Sequence, residues 1–130
     1  MSLSVQVDQR GGHPVVLVAG ELDQPAVPRL RGVLFETFLA HPVVVVDLTG
    51  VSSVGMHGAG AVAMCCYTAG RLDRDLRVVP GLALTALAER IGAAGVLCRY
   101  RSVDSALAGP GVLVGAGARG GTRAAWAGLG

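Results

Sequence analysis

The sequence contains no lysine. All eleven of its basic residues are arginine, set against nine acids for a formal charge of +2. Arg119 and Arg123 lie in the last 22 residues, where no acid occurs, so residues 1–108 carry nine charges of each sign. A neutral body lacks the basic stripe that phosphate neutralisation requires, which argues against direct nucleic-acid binding. Aromatics make up only 4 % of the chain, so its core must be built from Val, Leu, Ala and Ile. No apolar run reaches the roughly 18 residues of a membrane-spanning helix. Asp8 and Arg10 stand where a secretion signal would be apolar. Three cysteines are an odd number and far from a disulfide framework. His-Glu-x-x-His and Cys-x-x-Cys spacings are missing, as is Gly-x-Ser-x-Gly, so no metal centre or serine nucleophile is expected. What remains is a cytoplasmic, single-domain protein that needs no metal, cofactor or membrane.

What is present is an alternation of strand and helix signals. Ser4–Val7 and Val15–Ala19 read as strands, and Gly11-Gly12 between them predicts an antiparallel hairpin. Val27–Leu39 reads as a helix with Val27, Leu30, Leu34 and Phe38 on one face and Pro28 in its first turn. Val43–Val46 is an unbroken valine run ending in Asp47, the pattern of a strand buried on both faces. A helix over Gly58–Leu72, a strand at Leu76–Val79, a helix over Leu82–Ile91, a strand at Gly95–Tyr100 and a short helix at Ser102–Leu107 complete the pattern. The expected fold is α/β: a mixed five-stranded sheet, its first strand antiparallel, packed with about four helices. Glycine supplies 8 of the last 22 residues but only 12 of the first 108, so residues 109–130 read as a flexible Gly-rich tail.

The stretch Gly55-Met56-His57-Gly58-Ala59-Gly60, between the valine strand and the second helix, is the most unusual. Gly58 to Ala63 matches a dinucleotide fingerprint with Ala in third place, but about ten residues separate it from Asp47, whereas that fingerprint follows its strand directly. Close helix packing accounts better for the glycines. His57 has no acid at a spacing that would orient it as a base. Cys65 and Cys66 are adjacent on the second helix and read as small buried hydrophobes. Glu21, Asp23 and Asp47 lie at strand ends, where open α/β sheets place binding residues.

Taken in order, several segments resemble the STAS domains of bacterial anti-sigma factor antagonists. They are Val16-Leu17-Val18-Ala19-Gly20-Glu21-Leu22-Asp23, Pro28-Arg29-Leu30, Val44-Val45-Val46-Asp47-Leu48-Thr49-Gly50-Val51, Gly58-Ala59-Gly60, Pro80, Leu87, Gly92 and Val103-Asp104-Ser105-Ala106-Leu107. The resemblance covers roughly residues 3–108 and implies a STAS domain over 1–108. It implies a non-enzymatic regulator of transcription that binds an anti-sigma factor, usually a serine kinase, and is released when a serine at the start of the second helix is phosphorylated. The family writes Asp-Ser-Ser-Gly there. This chain has Gly55-Met56-His57-Gly58, with His57 at the acceptor position and Ser52 and Ser53 out of register. The resemblance therefore implies an antagonist without the usual phosphoserine switch.

The expected partner surface comprises Glu21, Asp23, Gly55, Met56, His57, Gly58 and Gly60. Ala61, Met64, Thr68 and Arg71 continue it along the exposed face of the second helix. The alternative is a small-molecule or nucleotide sensor using the Gly58–Gly60 helix start. An enzyme with His57 as base is a third reading, with no partner residue evident. Whether the protein is a monomer or a weak dimer stays open.

Overall fold

The computed structural model of the chain describes residues 3–108. Strands β1 (Leu3–Arg10) and β2 (His13–Leu22) form the expected hairpin, paired without interruption from Arg10↔His13 to Leu3↔Gly20. Gly11 and Gly12 turn the corner at φ +58 and +82, a pair of left-handed conformations that side-chain-bearing residues rarely adopt. After a short 3-10 turn at Gln24–Ala26, helix α1 (Val27–Ala40) leads to β3 (Val43–Val54). Helix α2 (Met56–Arg71), strand β4 (Asp75–Val79) and helices α3 (Gly81–Ile91), α4 (Ala94–Leu97) and α5 (Val103–Ala108) follow. The sheet runs β1-β2-β3-β4, antiparallel at β1/β2 and parallel thereafter. None of the helices described is long and apolar enough to cross a membrane.

The valine run behaves as its pattern requires. Val44 and Val46 are fully buried beneath the main helical layer, where Leu30, Leu34 and Phe38 of α1, Val62 and Cys66 of α2 and Leu84 and Leu87 of α3 meet them. Val45 points to the other face, where it packs with Val15, Val79 and Ala106 of α5. Burial on both faces explains why no polar residue interrupts this part of β3. Beneath α5 the buried Arg77 reaches Asp75 at 2.9 Å and donates to the Ala106 carbonyl at 2.7 Å, tying α5 to the sheet.

The sheet has four strands among the described residues, where the sequence pattern predicted five, and there are five helices where about four were expected. The missing strand is Gly95–Tyr100. Val96, Leu97 and Cys98 all contribute to the helix-side core, Leu97 without any exposure. A strand would send alternate residues to opposite faces. Only a helical turn can aim this run of neighbours at one core, so the segment winds up as α4. The predicted tail at residues 109–130 lies outside the described residues.

Candidate functional site

The carboxyl ends of β2 and β3 converge on the start of α2. Glu21 pairs with Ser53 and Leu22 with Val54, and the Gly55 N–H extends this pairing by donating to the Leu22 carbonyl at 3.2 Å. Gly55 is the N-cap of α2, extended at φ −92 and ψ 175, and contributes no side-chain cap. Gly58, three residues on, is buried against the same Leu22. A Cβ there would stand 2.5 Å from the Leu22 carbonyl oxygen and 2.8 Å from its Cγ. Only glycine admits this approach of helix to strand, so close packing is the reason for Gly58. With the Leu22 carbonyl seated on it, this helix start is not the open glycine cradle of a dinucleotide site. Gly60 is different: it is exposed, with nothing within 4 Å of its Cβ position.

His57 lies exposed on the first turn of α2, beside Met56, which is 59 % exposed. No hydrogen bond or ion pair to the imidazole is seen among the described residues, so no carboxylate orients it as a general base. Glu21 is half-buried and Asp23 exposed at the neighbouring end of β2. Among the described residues no cluster of three or more His, Cys, Asp or Glu could hold a metal ion.

Along α2 the exposed ridge is Met56, His57, Gly60, Met64, Tyr67 and Arg71, spaced by three and four residues after the first pair. Met64 and Tyr67 are 59 % and 58 % exposed, and the Arg71 guanidinium carbon lies 5.9 Å from the Tyr67 ring centroid. Two residues expected on this ridge are elsewhere. Ala61 is buried at 8 % exposure, and Thr68 is half-buried. The reason is the width of the buried arc. Helix α2 rests on the sheet and also packs against α1 and α3, so Gly58, Ala59, Ala61, Val62, Cys65, Cys66 and Ala69 are all covered. Ala61 is four residues from Cys65 and shares its side. Tyr67, absent from the sequence-derived surface, sits three residues after Met64, a spacing that would have found it once the helix phase was known.

The structure thus brings Glu21, Asp23, Gly55, Met56, His57 and Gly58 together at one end. Arg71 lies at the far end of α2, about 22 Å away at 1.5 Å per residue. The thiols on the buried side do not belong to this surface. Burial pushes Cys65 up to about 11, against a weaker opposing influence from Arg31. Burial, reinforced by Cys65, pushes Cys66 up to about 12. Both are neutral thiols at physiological pH, chemically quiet.

No family model matches the chain, and no curated protein matches it either. Solved structures do. The crystal structure of an anti-sigma factor antagonist from Mycobacterium paratuberculosis matches over 82 % of this chain and 92 % of its own, with 27 % identity and a TM-score of 0.72. The anti-sigma factor antagonist SpoIIAA in its unphosphorylated form shares the fold at 14 % identity and a TM-score of 0.60, over 81 % of this chain and 96 % of that one. An uncharacterised protein with a SpoIIAA-like fold from Shewanella loihica matches at 13 % identity and a TM-score of 0.52, over 82 % and 91 % of the two chains. The order of the sequence segments, the mixed sheet with its antiparallel first strand, and the match over nearly the whole of the mycobacterial antagonist show that this chain has the STAS-like fold and is similar to anti-sigma factor antagonists.

Proposed function

We propose that the protein is an anti-sigma factor antagonist that docks on an anti-sigma factor of the serine-kinase type and is not switched by phosphorylation at the start of α2. The observation that carries this reading is the α2 start itself: an exposed Met56-His57 turn held rigidly on β2 by the Gly58–Leu22 contact. Such a turn is pre-organised, so little conformational freedom is lost on docking. Met56, Met64 and Tyr67 supply the adaptable and aromatic apolar contacts that interfaces favour, and Glu21 and Asp23 form a charged margin.

A phosphoryl group on this turn would add about 1.5 to 2 negative charges to the docking surface. His57 occupies the position from which a serine hydroxyl would receive it, and the imidazole has a different reach and geometry. Displacement of an acceptor by about 1 Å can cost roughly 100-fold in rate. Gly55 also lacks the carboxylate that would orient a hydroxyl. The reading is therefore a non-enzymatic regulator of transcription whose complex is governed by partner abundance.

Co-precipitation with candidate anti-sigma factors, followed by titration of the one captured, tests the proposal. Met64→Asp and Tyr67→Asp alter side chains more than half exposed, so they are expected to abolish binding with an unchanged melting temperature. Undiminished affinity in both removes the ridge from the interface. Incubation with the kinase and ATP is expected to leave the intact mass unchanged. A phosphoryl adduct at Ser52 or Ser53 overturns the unswitched reading.

A further inference from the structure

Strand β1 is an edge strand, and its outward backbone groups can be assigned one by one. A two-residue hairpin makes the flanking pair, Arg10 and His13, a closely hydrogen-bonded pair. With no register shift along β1/β2, Ser4, Gln6, Asp8 and Arg10 therefore direct their N–H and C=O groups to β2. Leu3, Val5, Val7 and Gln9 direct theirs away from the sheet. Side-chain contacts agree with this assignment. The Leu3 carbonyl accepts from Arg29 Nη1, and the Gln9 N–H donates to Asp8 Oδ1 at 2.9 Å. The outer edge is thus closed at one end by a guanidinium and at the other by a carboxylate. Between them the N–H and C=O groups of Val5 and Val7 have no partner among the described residues, and the Val7 side chain is 50 % exposed.

The geometry points to a second copy of this chain as the occupant of this edge, joined β1 to β1 in antiparallel fashion about a two-fold axis through Gln6. In that register Val5 lies opposite Val7 of the second copy, and Val7 opposite its Val5, so each pair uses the outward N–H and C=O groups left open. The pairs beyond them are Gln9 with Leu3 of the second copy, twice. This sets the Asp8 carboxylate of one copy, which Arg10 Nε of its own chain reaches at 3.5 Å in an exposed ion pair, against the Arg29 guanidinium of the other at both ends of the seam. Opposite charges therefore meet where the free backbone groups run out. The exposed Val7 side chain gains a same-face neighbour in Val5 of the other copy. The two-fold operation closes the assembly, so a dimer forms and no filament grows from this edge. The seam is short, which makes the dimer weak and concentration-dependent. It leaves the α2 ridge uncovered and does not depend on the proposed partner.

Sedimentation over a concentration series is expected to show a monomer–dimer equilibrium, with Val7→Lys monomeric throughout. Asp8→Arg and Arg29→Asp are each expected to abolish dimerisation, and the double variant to restore it. Directly opposed residues of a non-hydrogen-bonded antiparallel pair have Cα atoms about 4.5 Å apart, at the short end of the disulfide range of about 4.4–6.8 Å. Gln6→Cys should therefore give a covalent dimer under mild oxidation, whereas Ser4→Cys, which faces Asp8 of the second copy, should not. A wild-type chain that stays monomeric at every concentration overturns the proposal. So does a dimer that survives Val7→Lys, or a Gln6→Cys variant that fails to cross-link.

Discussion

Replacing Gly58 and Gly60 by alanine, one at a time, should move stability in opposite directions although the residues are two positions apart on one helix. Alanine gains about 0.5–1 kcal/mol over glycine in a helix interior through backbone entropy. At Gly60 nothing lies within 4 Å of the added methyl, so this gain is expressed in full. At Gly58 the methyl would stand 2.5 Å from the Leu22 carbonyl oxygen. That oxygen accepts the Gly55 N–H, and Leu22 is paired with Val54, so the strand cannot yield. The helix must lift instead, at the upper end of the ~1–3 kcal/mol that overpacking costs. The net loss is about 2 kcal/mol. At roughly 4 °C per kcal/mol for a domain of this size, Gly58→Ala should melt about 8 °C lower and Gly60→Ala about 2–4 °C higher. Thermal unfolding followed by far-UV circular dichroism measures both. Equal shifts for the two variants, or a stabilised Gly58→Ala, would refute the close approach of α2 to β2.

Three further outcomes are expected. Arg77→Ala strands the Ala106 carbonyl and the Asp75 carboxylate beneath α5, so it should cost about 3 kcal/mol in chemical denaturation; a cost below that of an ordinary surface substitution would show that α5 is held by its apolar contacts alone. Because burial raises the Cys65 and Cys66 thiols to about 11 and about 12, the unfolded chain loses these protons first. Stability should hold below the unfolded thiol pKa of about 8.5 and fall as pH rises above it, and a Cys65→Ala, Cys66→Ala chain should show a shallower alkaline decline. Truncation after Ala108 should leave the melting temperature unchanged, and a loss of several degrees would mean that residues 109–130 contribute to the folded body.

Which parts of this were legible in the sequence follows from how far each signal reaches along the chain. Val43–Val46 announced a strand covered on both faces because a run without polar residues has no side left for water. Gly11-Gly12 announced the hairpin because only left-handed backbone closes so short a turn. The exposed first turn of α2 was visible as the Gly-rich break between a buried valine strand and an amphipathic helix. These are local properties of the backbone and of residue type. The fold of Gly95–Tyr100 was not local: its β-compatible residues wind into a turn because Val96, Leu97 and Cys98 find one core on one side. The burial of Ala61 depended on α1 and α3 flanking α2, and the unequal roles of Gly58 and Gly60 depended on where Leu22 of a distant strand comes to rest. The capping of the β1 edge joins Leu3 to Arg29, 26 residues later. Helical and strand periods tell which side of an element is apolar, because they follow from its own geometry. How wide that side must be, and what stands against it, is decided by the neighbours that cross it, and tertiary packing alone brings those together.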